Sequence, residues 1–550
     1  MSLRDDLTAA IAAARDRAIA AGELTIPPGA ELPAIGLERP AKPEHGDWAS
    51  NAAMQLAPVA RSAPMRIADT LVAHFQPPPS VAEISIAAPG FINLHLEPGW
   101  VAAQVEPIRT AGREYGRSTA TEPRRINVEF VSANPTGPLH IGNARGAFVG
   151  DVLSRVLSAV GHTVAREYYF NDFGAQVVNL GLSVLARRRG TDLPEDGYHG
   201  EYVEALAADL PDDLLLQAEQ QPDDAGRIVG AWATERVRAG IEASLARLGV
   251  HFEVWKEESS LHESGWVERA VERLRASGHV YEADGATWFR STDFGDDKDR
   301  VIYRSNGLPT YFASDIGYVT EKFSRGFDEL IYIWGVDHHG TVARVRNAAE
   351  AMGHDREAVR MLLIAWVRFV RDGVEIPMSK RSGEFITLDD LLNEVGVDAA
   401  RWYFSSRAYT SGIDFDLELA KKQSNENPVY YVQYAHARAS SILRHAADTG
   451  GGPDDSRTAE LLRHPAEQAL LRQLLDFPDA LASAAARRET HEVPRYAYEL
   501  ASAFSAFYRD CKVLTEDEAL SSARLALVDA TRSVLVNALD LLGISAPESM

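Results

Sequence analysis

Val128–Gly146 reads VEFVSANPTGPLHIGNARG, and the fold follows from how this stretch joins a short strand to a helix. Ile126, Val128 and Phe130 alternate with polar Asn127 and Glu129, the period of a strand. Beyond the loop, Ala144, Ala147 or Phe148, Leu153, Val156 and Val160 recur at helical spacing until Gly161 stops the run. A second apolar run, Thr163 to Phe170, follows at once. Strand, helix and strand in this order predict a right-handed crossover onto a parallel sheet. The helix N-terminus near Gly142 and Asn143 then faces the carboxyl ends of the strands, where open α/β sheets bind ligands. Backbone N–H groups gather at such a terminus and make it an anion site. His140 and Gly142 stand where a phosphate chain and an adenine can lie against the backbone.

Length sets the next boundary. Hydrophobic cores stop growing beyond about 250 to 300 residues, so a chain of 550 residues is expected to hold two to four domains. With 45% hydrophobic residues, it has enough apolar surface for real cores. No apolar run approaches the roughly 18 residues of a membrane span. The opening MSLRDDLTAAIAAARDRA is an amphipathic helix without the apolar centre of a signal peptide, so a cytoplasmic location and no membrane partner are expected. Cys511 is the single cysteine. It excludes a disulfide framework and a cysteine zinc site, and its apolar helical surroundings suit core filling. A net charge of −23 opposes RNA binding unless basic residues cluster on one face. Candidate clusters are Arg124 with Arg125, Arg187 to Arg189, Lys421 with Lys422, and the run from His436 to Arg444.

Three regions are expected. Residues 1–115 mix an amphipathic helix, a proline-bearing stretch and the alternating run VAEISIAAPGFINLHL, an α+β N-terminal domain. Residues 116–405 alternate strands and helices as a Rossmann-like parallel-sheet α/β domain, with a mostly helical insertion over about 180–275. Residues 406–550 read as an all-α C-terminal bundle. Its last helix places Val528, Leu535, Ala538, Leu539 and Leu542 on one face and stops at Gly543.

The tetrapeptide His140–Asn143 resembles the H-I-G-H signature of class I aminoacyl-tRNA synthetases. The longer string SANPTGPLHIGNARGA is similar to that of the arginyl-tRNA synthetase family. Far downstream, residues 376–383 read IPMSKRSG and resemble the K-M-S-K-S loop of the same class. Two departures stand out: Asn143 replaces the second histidine, and Pro377 the first lysine. The resemblance implies ATP-dependent activation of L-arginine, with Mg²⁺ sharing the phosphate charge, and transfer to the terminal ribose of tRNA(Arg). It implies His140, Asn143 and Lys380 as catalytic residues. ATP would be held by Pro138, His140, Gly142, Asn143, Met378, Ser379 and Lys380. Positive charge aimed at the β- and γ-phosphates is what such a transition state needs.

An arginine substrate presents five donors in one plane and asks for carboxylate acceptors. The resemblance implies Glu129, Ser132, Asn134, Tyr311, Asp315, Asp337 and His338 as arginine-binding residues. On alternation alone, Glu129 reads as solvent-facing. Tyr311 and Asp315, four apart in GLPTYFASDIGY, share one helix face whether they serve a pocket or place Tyr311 in the core. No metal site is expected: Asp337, His338 and His339 read as an extended segment whose neighbours point to opposite sides. DFGDDKDR at 293–300 reads as a charged hairpin without calcium-loop spacing. The resemblance further implies tRNA contacts in the N-terminal domain and the C-terminal bundle, and a monomer. Within NPVYYVQYAHARASSI, Tyr430 and Tyr434 read as a core stripe, which would point Tyr431, His436 and Arg438 elsewhere, free to stack on or steer unpaired bases; core is the favoured reading for most of these aromatics. Two other readings of the chain are a catalytically silent paralogue, favoured by Asn143 and Pro377, and an adenylating ligase acting on a small molecule.

Overall fold

In the computed structural model, which describes residues 3–40, 42–371, 373–376 and 387–550, the opening stretch runs from the central strand of a five-stranded sheet into a helix. The strands are β1 (Arg125–Glu129), β2 (Thr163–Phe170), β3 (Val254–Glu257), β4 (Glu329–Gly335) and β5 (Val359–Ile364). Their order is β5-β4-β1-β2-β3, and every neighbouring pair is parallel. The chain lays β1, β2 and β3 outward on one side, then places β4 on the other side of β1. Strand order therefore reverses between β1 and β4, and the crevice outside their carboxyl ends is the ligand position of an open α/β sheet.

The polar residues of β1 do not face solvent. Asn127 is fully buried and Glu129 is 3% exposed, because a central parallel strand is covered on both faces. Asn127 donates to Glu167 Oε2 of β2 at 2.7 Å. The crossover helix Ala144–Ala159 buries Ala144, Ala147, Phe148, Leu153 and Val156. Gly150 is what lets it approach so closely, since a Cβ there would meet the Phe130 ring at 2.2 Å.

After β2, four helices run over Ala175–Arg189, Glu201–Asp209, Asp212–Gln220 and Ala225–Arg247. The first and last pack backbone to backbone: a Cβ on Gly181 would lie 2.0 Å from the Gly226 carbonyl oxygen. The edge strand β3 falls inside the interval that reads as helical insertion, because a four-residue strand is too short to carry its own periodicity.

In the N-terminal region, the helix Leu3–Ala20 buries Leu7, Ile11, Ala14 and Ala18 beside a four-stranded antiparallel sheet. Trp48–Ser50 is a strand of that sheet, and the helix Ala52–Ala60 follows it. Asp47 accepts from Leu96 N at 2.7 Å and forms an ion pair with Arg472 of the C-terminal bundle. In that bundle, Val528, Leu535, Ala538, Leu539 and Leu542 are fully buried, and Gly543 caps their helix at φ +65°. Cys511 is also buried.

Two buried arginines fasten the bundle to the sheet domain. Arg401 donates to Asp151 Oδ2 at 2.9 Å and to the carbonyls of Leu248 at 2.9 Å and Leu542 at 2.8 Å. Arg488 grips both carboxylate oxygens of Glu329, at 2.9 and 2.7 Å.

Candidate active site

The loop leaving β1 is held in an uncommon backbone shape. Val131 and Ser132 have φ of +68° and +41°, a region that costs non-glycine residues about 1–3 kcal/mol each and persists only where neighbours enforce it. Ser132 Oγ donates to Glu129 Oε1 at 3.2 Å and accepts from Tyr169 N at 3.1 Å. The Tyr168 hydroxyl donates to the Ala133 carbonyl at 2.9 Å. Asn134, Pro138 and Gly142 are exposed at the carboxyl edge of the sheet, with His140 and Asn143 half-buried among them.

His140 and Asn143 lock each other. The His140 ring accepts from Gly142 N at its Nδ1, 3.0 Å away, and Asn143 Oδ1 accepts from His140 N at 3.1 Å. A ring nitrogen that accepts carries no proton, so neutral His140 keeps its proton on Nε2 as a donor. Asn143 thus does a local job that its amide performs well: it closes the one 3₁₀ turn, Ile141–Asn143, from which the crossover helix starts.

Met378, Ser379 and Lys380, together with Pro377, lie outside the described residues. The chain on either side of them is placed. Val374–Ile376 pairs antiparallel with Val367–Arg371. Thr387 forms an antiparallel bridge with His140, and Leu388 N donates to the Leu139 carbonyl at 3.0 Å.

Across the crevice, the helix Tyr311–Ser324 carries Tyr311, Asp315 and Lys322. Lys322, fully buried, donates from Nζ to Glu129 Oε2 at 2.6 Å and lies 4.0 Å from the centre of the Tyr332 ring. Asp315, one turn into the helix, is half-buried. Burial pushes its carboxyl up to about 7, Glu258 and Glu129 push the same way, and Arg344 opposes them. An acid held this far up lacks a sufficient cation, and a guanidinium is one. Tyr311 is 68% exposed at the helix start rather than in a core.

Asp337 and His338 are exposed on a 3₁₀ turn, Val336–His338, at the end of β4. They are not on an extended segment: the turn brings His338 Nε2 within 3.5 Å of Asp337 Oδ2. The acidic 293–300 run connects two antiparallel strands, with Arg300 held by Asp296.

In the bundle, Tyr430 and Tyr434 stack at 6.2 Å, and Arg438 covers Tyr434 at 4.7 Å. His436 is buried, with Nδ1 2.9 Å from the Pro547 carbonyl oxygen, so its ring holds the carboxyl-terminal segment and does not face bases. Several of the basic candidates are already paired, among them Arg188 with Asp212 and Lys421 with Glu418.

Sequence reasoning missed Lys322, Glu258 and Arg344. Lys322 had a signal: it falls seven residues after Asp315, two helical turns along one face. Glu258 and Arg344 come from separate helices, and nothing local marks them.

A reversed parallel sheet with a histidine-capped helix start at its switch point defines the catalytic domain of a class I aminoacyl-tRNA synthetase. The model for the tRNA synthetases class I (R) catalytic domain matches residues 104–192 and 231–406. The chain belongs to the arginyl-tRNA synthetase family: the arginyl tRNA synthetase N-terminal domain matches residues 1–96 and the DALR anticodon binding domain residues 432–550. It is 45% identical to the arginine–tRNA ligase of Moorella thermoacetica over 99% of this chain and 98% of that one. It is 44% identical to the enzyme of the same name from Heliobacterium modesticaldum, over 100% and 99%. The solved Thermus thermophilus arginyl-tRNA synthetase superposes with a TM-score of 0.79 at 26% identity, covering both chains in full.

Proposed function

We infer that the chain joins L-arginine to tRNA(Arg) at the expense of ATP, and that the crevice between β1 and β4 is where it does so. The observation that carries this reading is the bridge between His140 and Thr387. It ties the loop after β1 to Thr387, the first described residue after the second signature string.

In the first half-reaction an arginine carboxylate oxygen attacks the α-phosphorus of ATP, the bond to the bridging oxygen breaks, and pyrophosphate leaves with arginyl-adenylate formed. His140 Nε2–H donates to a phosphate oxygen, Gly142 and Pro138 give the nucleotide a backbone floor, the Gly142 N–H keeps the imidazole turned, and Asn143 holds the His140 backbone. Lys380, with Met378 and Ser379 before it in the sequence, supplies the ammonium that neutralises the departing phosphates. Mg²⁺ bound to the triphosphate would supply further positive charge to the phosphates. The fit is to a substrate ion rather than a protein cage. Among the described residues, the one His and carboxylate group close enough to share a metal is Glu489, His491 and Glu492 of the bundle, and Arg487 and Arg495 already pair with its carboxylates. In the second half-reaction the terminal ribose 2′-hydroxyl of tRNA attacks the adenylate carbonyl and AMP leaves; by family resemblance tRNA is needed for activation too.

Asp315 takes the guanidinium under Tyr311, while Glu129, Ser132 and Asn134 hold the α-ammonium side, and Asp337 and His338 border the arginine and ATP sites. A buried acid left unpaired by a neutral competitor rejects it by ~10⁴ or more, so no second editing site is required. The reaction suits a monomer in the cytoplasm, where ATP, arginine and tRNA coexist. Among the described residues, no helix is long and apolar enough to cross a membrane. ATP–pyrophosphate exchange with arginine or lysine, with and without bulk tRNA, tests the function. Exchange with arginine plus tRNA is expected. Exchange without tRNA and without charging would indicate a small-molecule ligase, and silence throughout a catalytically inert paralogue.

A further inference from the structure

We propose that Tyr202, carried by the inserted helices, is a positioning residue for substrate binding: its hydroxyl holds the Asn134–Pro138 loop in its working shape. The inference rests on the reading of that loop as part of the arginine and ATP site.

The Tyr202 hydroxyl donates to the Thr136 carbonyl at 2.7 Å. On the other flank, the Tyr168 hydroxyl donates to the Ala133 carbonyl at 2.9 Å. Two tyrosines thus clamp the backbone on both sides of Asn134, one from the sheet and one from the insertion. Between them, Thr136 N donates to the Asn134 carbonyl at 2.8 Å and closes a tight turn. The loop begins at the left-handed pair Val131 and Ser132, whose strain must be enforced from outside the loop.

The approach of Tyr202 is built in. A Cβ on Gly137 would sit 3.3 Å from Tyr202 Cζ and 3.4 Å from its hydroxyl oxygen, so glycine gives the ring its seat. Gly200 has φ +119°, a conformation L side chains rarely adopt, and it turns the chain into the helix Glu201–Asp209 with the ring aimed at the loop. That helix is braced on Ala175–Arg189, where Tyr198 N donates to Ser183 Oγ at 2.9 Å. Burial raises the phenol of Tyr202 far above its usual range, so it stays a donor at every working pH. Asn134 itself is exposed, so its placement depends on the backbone beneath it.

Three variants of the full-length protein test this: Tyr202→Phe, Gly137→Ala and Asn134→Ala. Displacing a binding group by ~1 Å can cost up to 10²-fold, so Y202F is expected to raise KM for arginine about tenfold. Its tRNA Kd should stay unchanged, with Tm within about 2 °C of wild type. A fall in the folded fraction would lower kcat and leave KM alone, which separates positioning from bulk stability. G137A presses on the same contact and should raise KM too, and the double variant Y202F/G137A should do less than the product of the two. A Y202F KM within twofold of wild type, while N134A raises it, overturns the role of Tyr202. Independent, multiplying effects of Y202F and G137A overturn it as well. If N134A leaves KM unchanged, the reading of the loop as a substrate site is what fails.

Discussion

His140 and Thr387 form an antiparallel backbone bridge, although more than two hundred residues separate them. Thr387 is also the N-cap of the helix Leu388–Val395, accepting from Asp390 N at 3.1 Å. Thr387 is therefore fixed twice, once by the helix it caps and once by the loop that follows β1.

Leu388 supplies the N–H that reaches the Leu139 carbonyl, and it is the first helical residue, a position that tolerates proline. Leu388→Pro removes this donor and truncates a core side chain; Leu388→Ala truncates the side chain only. L388P is expected to raise KM for ATP several-fold above that of L388A at similar Tm. Equal values would show that the bridge does not position the loop.

Asp315 gives the account its pH dependence. Its carboxyl is pushed up to about 7 in the ligand-free protein, and in the proposed pocket it is the ionised form that pairs with a guanidinium. kcat/KM for arginine should therefore rise with pH through about 7 and flatten above it. Asp315→Asn should abolish that rise, and Asp315→Ala should raise KM by orders of magnitude, in keeping with the about 3–5 kcal/mol of a broken buried charge pair. The sign for stability is opposite. A carboxyl raised above its unfolded value favours the fold while protonated, and that contribution is lost as pH climbs through about 7. D315N should then stabilise the ligand-free protein more at pH 8 than at pH 5, read by thermal melts.

Lys322 and Glu129 test the buried pair. Lys322→Met leaves Glu129 uncompensated and should cost about 3–5 kcal/mol of stability. Adding Glu129→Gln should restore most of the stability without restoring arginine affinity. A double variant that recovers both would separate the pair from the substrate site.

How much of this could be read in advance depends on the range of the interaction. The strand, crossover helix and second strand were legible because each buries a periodic stripe: β2 spans Thr163–Phe170 as its apolar run suggested. The ends of helices were legible where a glycine stops them, as at Gly543. Burial of Glu129 was not, because strand alternation cannot distinguish a solvated face from one covered by a lysine almost two hundred residues away. His436 looked like a surface residue in a charged run, and only the returning carboxyl-terminal segment, through Pro547, encloses it. The turn at Asp337 and His338 was misread as extended because the apolar run of β4 gives no sign of where the strand ends.

Arg401 carries part of the coupling between domains, beside Arg488. Arg401→Leu removes one of the basic partners of Asp151, which keeps Arg155 at 2.8 Å, and takes this donor from the Leu248 and Leu542 carbonyls. The expected loss is about 1–3 kcal/mol for the buried hydrogen bonds left unmade, and calorimetry should resolve an early transition of the helical bundle separate from the sheet domain. A single transition at the wild-type Tm would refute this role.

The central claim is that one crevice binds ATP and selects arginine, and ATP–pyrophosphate exchange in the presence of bulk tRNA tests it most directly. Exchange driven by arginine and not by lysine, with Lys380→Ala and His140→Ala each reducing kcat by roughly 10²–10³, is the expected result. Equal exchange with lysine, or arginine-dependent exchange untouched by both substitutions, would contradict it.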